Sequence, residues 1–334
     1  MERRRALAAL AGLAVAPALR AEDLDRERLQ RARREGFLTV YTSFPPEDIA
    51  AVNALFEKRT GVKVRPWRSS SENVLQRTLA EAKSGRFDVD VVECNSIPLE
   101  TLHREGVLQR VRAPGAADLV PAAVPKHGEW VASRLSLFVQ AYNTRQVRKD
   151  ELPKSYADLL DPRWKGRLGV EASDMDWFSE VVRGLGEERG LKLFRDLAAT
   201  NGLSVRRGHS VIAQLVATGD IPLALTVYNF TAEQLKRRGA PLDWFVLSPA
   251  VAHANGVAIP KRAPRPHAAL LYYEFMIGEE AQRLLASRDS IPTSTKVESS
   301  LDRSSFRVVD PARMLDEGER WAKLYDEIIV KGSR

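Results

Sequence analysis

Apolar residues recur along this chain in short runs with the period of a strand, separated by segments in which they recur with the period of a helix. A helix-start signal, the Ser69–Glu72 capping box, follows the second run. Strands that alternate with helices predict an α/β fold with a largely parallel sheet. The runs that predict the first three strands are GFLTVYTSF (36–44), VKVRPW (62–67) and FDVDVVE (87–93).

Two longer segments indicate a second α/β unit that is inserted into the first. Segment 130–144 is long for a single strand, and we expect it to cross from one unit to the other. Segment 248–260 is also extended and is expected to return. The predicted organisation is an outer lobe of residues 22–138 and 251–334 and an inserted lobe of residues 139–250, with the two crossings acting as a hinge.

The N-terminus has the pattern of an export signal. A basic MERRR precedes the short apolar run ALAALAGLAVAPAL, and small residues at Ala16, Ala18 and Ala21 suit a signal peptidase. Residues 1–21 are therefore predicted to be a signal peptide. Its removal takes away four arginines and one glutamate, which leaves +4 of the formal net charge of +7. This modest excess does not indicate a nucleic-acid partner.

The cysteine content and the hydropathy of the chain indicate the cellular compartment in which the protein is expected. Cys94 is the only cysteine, so no intramolecular disulfide can form, and it lies too far from the signal to carry a lipid at the cleavage site. No stretch approaches the ~20 apolar residues that span a bilayer. An exported protein with neither kind of anchor is expected in the periplasm of a bacterium with two membranes.

Five segments of the chain carry a family resemblance: LTVYTSF, FDVDVVE, LPKSYADLLDPRWKGRLG, GDIPLALTVYN and ANGVAIPKRAPRPHAALLYYEFMIGEEAQRLLA. They resemble the periplasmic substrate-binding proteins of ABC importers, and within these most closely the ferric-iron-binding branch. The resemblance implies a type II periplasmic-binding-protein fold, in which two α/β lobes joined by two crossing segments close over one ligand. It also implies a monomer without enzymatic activity or cofactor, which delivers its ligand to a membrane permease and its ATPase.

The resemblance also identifies the positions that would hold iron. The best-known ferric members bind it through a histidine, a glutamate and two adjacent tyrosines. In this chain these positions fall on Pro45, Asn95, Asn229 and Phe230. Ferric iron is a hard cation that prefers phenolate and carboxylate oxygens, and only Tyr228 remains nearby. We therefore predict no metal ligands here.

The candidate ligand-binding residues follow predicted strands or begin predicted helices. Ligands of open α/β sheets bind at the carboxyl ends of strands, and helix N-termini bind oxyanions through free backbone N–H groups. An arginine beside a helix start can also bind a carboxylate or phosphate. Plain helix capping is the alternative for Ser69, Ser70 and Ser71. Trp177 has the alternative of a structural role, and Arg207 that of a solvated surface residue. The candidates are Ser43, Phe44, Ser69, Ser70, Ser71, Asn95, Asp176, Trp177, Arg207, Tyr228 and Asn229.

These residues favour a small anionic organic ligand, such as a carboxylate, phosphonate or phosphate ester. The alternative is ferric iron, bare, chelated or completed by a synergistic anion. An enzyme on the same fold is a more distant alternative. The sequence contains no phosphate-binding glycine loop, HExxH, paired CxxC or nucleophile elbow.

Overall fold

The computed structural model describes the backbone of residues 16–333 and the side chains of residues 26–333. Most of the predicted signal peptide lies outside the described residues. Helix α1 (Ala16–Glu35) runs through the expected cleavage region. Within the described part of the chain, no helix has the length and apolar character needed to span a membrane.

The first α/β unit follows the predicted alternation. Its three strands lie side by side and parallel, with β1 in the middle. Helix α3 begins at Ser71 with Ser70 as its N-cap, so the cap lies one residue later than predicted and the Ser69–Glu72 capping box is not the one that starts the helix. The elements are β1 (Phe37–Thr42), α2 (Pro46–Thr60), β2 (Lys63–Arg68), α3 (Ser71–Ser84), β3 (Val91–Asn95) and α4 (Ser96–Arg104).

A long strand then leads into the second unit. The elements of this unit are β4 (Trp130–Asn143), β5 (Leu168–Glu171), α5 (Met175–Leu185), α6 (Glu187–Asn201), β6 (Ser204–Arg206), α7 (His209–Thr218), β7 (Leu223–Tyr228), α8 (Asn229–Arg237) and β8 (Leu242–Phe245). The chain returns through β9 (Ala250–Ala258), α9 (Pro266–Ile277), α10 (Glu279–Ser287), β10 (Ile291–Pro292), β11 (Phe306–Val308) and α11 (Pro311–Tyr325).

Strand β4 belongs to both units. Its first part, residues 130–137, pairs antiparallel with β9, and its second part, from Phe138, pairs with β7 and β8. The strands of the described residues follow the order β2-β1-β3-β9-β4-β7-β5-β6. This mixed arrangement confirms the predicted α/β class, and it places β4 and β9 side by side between the two units.

The C-terminal helix packs differently from the expectation that residues 251–334 all belong to the outer lobe. Met314, Trp321 and Tyr325 of α11 are buried in a cluster with Trp177 and Phe178 of α5. The same helix also reaches the first unit, where Asp316 accepts a hydrogen bond from Arg104 at 2.6 Å. Helix α11 therefore connects the two units, because its apolar face completes the aromatic core of the inserted one.

Candidate ligand-binding cleft

A cleft of about 1010 Å³ lies between the two units, where strands of both end. Its first wall is the edge of the first unit and its second wall is the edge of the inserted unit, and β4 and β9 form its floor. The lining includes Ser43, Ser69, Ser70, Ser71 and Asn95 on the first wall, Asp174, Asp176, His209 and Tyr228 on the second, and Arg134, Ser136, His253 and Asn255 on the floor.

The floor is a two-by-two patch of polar side chains. Arg134 lies opposite Asn255 in the antiparallel pair, and Ser136 lies opposite His253. Because alternate residues of a strand share a face, all four side chains point to the same side. The Asn255 amide also donates a hydrogen bond to the Ser136 hydroxyl at 3.0 Å.

Arg134 is a buried cation with unused hydrogen-bonding capacity. The residue is only 5% exposed, its Nη2 donates to Glu93 Oε1 at 3.2 Å, and the guanidinium lies 3.8 Å from the centre of the Phe44 ring. Burial lowers the pKa of Arg134, but a guanidinium stays protonated in proteins. Its Nε is buried without an acceptor among the described residues.

His253 is a second buried residue with a nitrogen that has no hydrogen-bond partner among the described residues. Its Nε2 is paired with Asp176 Oδ2, and its Nδ1 is buried without a partner in the described residues. Burial acts to lower the pKa of His253, but the Asp176 carboxylate outweighs it and raises the pKa above the ordinary value. The raised pKa favours the imidazolium form of the ring, in which Nδ1–H is a donor without an acceptor among the described residues.

A second histidine–aspartate pair lies on the wall of the inserted unit. His209 Nε2 lies 2.9 and 3.1 Å from the two carboxylate oxygens of Asp174. Burial opposes protonation of His209, but Asp174 raises its pKa overall. Tyr228 stacks on His209 with ring centroids 4.2 Å apart, and burial together with the nearby aspartates raises its pKa well above 10. Without a bound cation, Tyr228 is therefore a neutral phenol.

Three groups of this wall come close enough to hold a metal ion. Glu171, Asp174 and His209 offer ligand atoms that lie within 4.8 Å of one another. Their oxygens already accept hydrogen bonds within the protein, since Glu171 Oε1 accepts from the Gly208 N–H at 2.8 Å and Asp174 is paired with His209. A metal ion would have to replace these donors.

Seven of the eleven predicted residues line the cleft, namely Ser43, Ser69, Ser70, Ser71, Asn95, Asp176 and Tyr228. Ser70 also caps α3, since its hydroxyl accepts from the Asn73 N–H at 3.2 Å, so helix capping and a position in the cleft occur together. The backbone N–H groups of the first turn of this helix have no partner within it.

Three of the predicted residues, Phe44, Trp177 and Arg207, do not line the cleft, so these predictions are wrong. Phe44 is fully buried beneath the Arg134 guanidinium. Trp177 is fully buried against Phe194, with ring centroids 5.6 Å apart, so the alternative of a structural tryptophan holds. Arg207 is exposed and does not line the cleft, as expected of a solvated arginine.

The prediction that Asn229 faces the cleft is also wrong. The residue is 4% exposed, and its side chain accepts from the Leu137 N–H at 2.9 Å and donates to the Asp289 carbonyl at 2.8 Å. These bonds tie the start of α8 to β4 and to the loop after α10. Asn229 is therefore a structural residue that connects distant parts of the chain.

We expect Asn229→Ala to lower the free energy of unfolding by about 1–3 kcal/mol, because it leaves a buried donor and a carbonyl unpaired. Urea unfolding measures this change. Asn95→Ala is the matched control, since Asn95 makes no side-chain capping bond at α4 and its loss should cost about 0.5 kcal/mol or less. Equal effects of the two substitutions would contradict the structural role of Asn229.

Sequence reasoning missed Arg134 and His253 as functional residues. A signal was present, because polar residues at alternate positions interrupt otherwise apolar strands in VASRLSLF and AVAHANGVA. Buried polar residues are more informative than buried apolar ones. The pattern puts Arg134 with Ser136, and His253 with Asn255, on one face of each strand.

The fold and this cleft define a two-lobed solute-binding protein. The sequence pattern of the family described as bacterial extracellular solute-binding protein matches residues 99–316. The chain belongs to this family, which confirms the resemblance noted from the sequence. Members of the family are binding proteins that operate outside the cytoplasmic membrane with the permease of an ABC importer.

Individual relatives have different ligands. The major ferric iron-binding protein of Neisseria meningitidis is 27% identical over 315 residues, covering 88% of this chain and 93% of its own. Iron-bound HitA from Pseudomonas aeruginosa has a TM-score of 0.75 at 22% identity, over 87% of this chain and 99% of its own. AfuA from Actinobacillus pleuropneumoniae, solved with fructose-6-phosphate, has a TM-score of 0.73 at 21% identity, over 88% of this chain and 98% of its own. These two structures show that the fold is of type II.

Proposed function

We propose that this protein captures a small organic anion in the cleft and delivers it to the permease and ATPase of an ABC importer. It acts as a monomer in the periplasm. The observation that supports the anion is the pair of buried cationic groups on the floor, Arg134 and His253, each with a nitrogen that lacks an acceptor.

The energetic reason is the cost of an unpaired buried donor. Leaving one unsatisfied costs about 1–3 kcal/mol, and more when the group is charged. Arg134 and His253 lie on neighbouring strands and line the same cleft, so both cationic groups border the position that we propose for the oxyanion. Ser70 and Ser71 add the start of α3, where free backbone N–H groups and the helix dipole also favour a negative group.

The rest of the cleft suits the uncharged part of an organic ligand. Its volume of about 1010 Å³ lies at the upper end of the range for small-molecule sites. Asn95 and Tyr228 offer hydrogen-bonding groups on opposite walls, so both units contribute contacts. A ligand held by both walls binds the closed arrangement better, and this difference in affinity drives closure. We propose residues 139–250 as the moving lobe, with β4 and β9 as its hinge.

A thermal-shift screen of carboxylates, phosphonates, phosphate esters and ferric citrate tests the proposal. A bound ligand at about 100 times its dissociation constant should add about 2.7 kcal/mol to the free energy of unfolding. We expect members of one class of organic anion to stabilise the protein. Stabilisation by ferric iron alone, with no effect of any organic anion, would contradict the proposal.

Ferric iron is the second candidate, and the names of the relatives favour it over an organic anion. The ligand atoms offered by Glu171, Asp174 and His209, with Tyr228 stacked beside them, are the specific feature in its favour. Against it, the four positions that the resemblance assigns to iron ligands hold Pro45, Asn95, Asn229 and Phe230.

We expect the protein to stay colourless after loading with ferric citrate, because Tyr228 is a neutral phenol and the neighbouring carboxylates already have donors. A tyrosinate bound to ferric iron gives a visible charge-transfer band, which absorption spectroscopy detects. Tyr228→Phe is the matched variant. A strong band in the wild type that disappears in Tyr228→Phe would establish iron as the ligand.

A further inference from the structure

A cluster of two histidines and two glutamates lies on the first α/β unit, away from the cleft. Glu100 and His103 belong to α4, and His127 and Glu129 lie in the segment before β4. Trp130 begins β4, and the cleft residue Ser136 lies roughly 20 Å farther along the same strand at about 3.3 Å per residue. None of the four residues lines the cleft.

The four side chains contact one another in pairs. His103 Nδ1 lies 2.8 Å from Glu129 Oε2, and His127 Nε2 lies 3.3 Å from Glu100 Oε2. The two imidazole rings are stacked, with centroids 3.7 Å apart and an interplanar angle of 13°. Glu100, His103 and His127 offer ligand atoms within 4.8 Å of one another, and both histidine side chains are partly exposed, which leaves a route for an ion.

The cluster brings two carboxylates, those of Glu100 and Glu129, close to the two imidazole rings. Arg104 approaches Glu100 to 4.0 Å, but it is also bound to Asp316 at 2.6 Å. A divalent cation would balance the remaining carboxylate charge.

We propose that Glu100, His103 and His127 bind a divalent transition metal ion, with Glu129 as a positioning residue. Imidazole nitrogen combined with carboxylate oxygen suits zinc, copper or nickel better than magnesium or calcium. Glu129 accepts the Nδ1–H of His103 and leaves Nε2 for the metal, the usual second partner of a metal-bound histidine. Three protein ligands leave a fourth position for water.

Binding requires one local rearrangement. Stacked rings direct their nitrogen lone pairs along parallel planes, so the two rings cannot both point at one ion until one of them turns. His127 is the ring that turns, because its Nδ1 only accepts a bond from the Glu129 N–H at 3.1 Å. Rotation about its Cβ–Cγ bond gives up that bond. The ring then loses the Nε2 proton to solvent and takes up a solvent proton at Nδ1, which frees the Nε2 lone pair for the metal.

Titration calorimetry with Zn²⁺ on the untagged, full-length protein tests this proposal. We expect one zinc ion per chain in this site, and His103→Gln or His127→Gln should each weaken its affinity at least about tenfold. His267→Gln, which alters an exposed histidine on α9, should bind like the wild type. Electron paramagnetic resonance of the Cu²⁺ form should show two coordinated nitrogens, reduced to one in either variant.

Two results would overturn the proposal. One is a wild type that binds no zinc, and the other is zinc affinity that falls in Asp174→Asn but not in His103→Gln, which would place the ion in the cleft. Circular dichroism and melting without metal check that each variant is folded, and two separate histidine variants keep the test valid if one fails. Capture of an organic anion is independent of this site, so failure here leaves the proposed function intact.

Discussion

Arg134→Gln should abolish capture of the organic anion and should also destabilise the protein by about 3–5 kcal/mol, the usual cost of breaking a buried ion pair. The affinity is lost because the cation on the cleft floor is gone. The stability is lost because Glu93 is fully buried and would keep only the Thr42 hydroxyl, 2.6 Å away, as a side-chain partner. Its carboxylate would then have to take up a proton or remain an unpaired buried charge.

A double variant separates the two effects. Glu93→Gln combined with Arg134→Gln replaces the ion pair with two neutral amides. We expect urea unfolding to show that most of the stability returns, while calorimetry shows no recovery of affinity. A double variant that binds the anion like the wild type would contradict the role of Arg134 in the cleft.

The affinity for the anion should fall as the pH rises through the raised pKa of His253. Below this pKa the imidazolium donates a hydrogen bond from Nδ1. Above it the neutral ring keeps its proton on Nε2, which donates to Asp176. Nδ1 is then an acceptor and repels an oxyanion. Burial lowers the pKa of His253, Asp176 and then Asp174 raise it, and His209 lowers it, with a net increase above 6.5. Binding should therefore be constant below the raised pKa of His253 and should weaken up to tenfold per pH unit above it.

Asp176→Asn is the informative variant for this pH profile. It removes the main group that raises the pKa of His253, so burial dominates and the loss of affinity should begin at lower pH. Asp174→Asn should shift the profile less, because Asp174 contributes less to His253. Calorimetry with a ligand whose own anionic group does not titrate measures both. A pH profile that is identical in Asp176→Asn and the wild type would show that His253 does not contact the anion.

The sequence was sufficient for the class of fold and for part of the cleft. The alternation of strands and helices defined the first unit, and strand ends placed Ser43, Asn95 and Tyr228 at the cleft. Tyr228 and Asn229 show the limit of this reasoning. They are consecutive at the turn from β7 into α8. Asn229 is turned away from the cleft because it bonds to the Leu137 N–H and the Asp289 carbonyl. Only the fold brings these two groups close to Asn229.

The residues on the floor depend on a register that is set between distant segments. Arg134 and His253 become neighbours only because β4 pairs antiparallel with β9. The packing of helix α11 also could not be predicted from local patterns, because its contacts with α5 join segments far apart in sequence. Local periodicity shows which face of a strand or helix is apolar, but it does not show what that face will contact.

The most direct test of the central claim is to analyse what the protein carries from its native host. The purified protein is denatured, and the released solution is analysed by mass spectrometry for organic anions and for iron. We expect one class of organic anion at close to one molecule per chain, and none with Arg134→Gln combined with Glu93→Gln. Iron at one atom per chain, without any organic anion, would contradict the account.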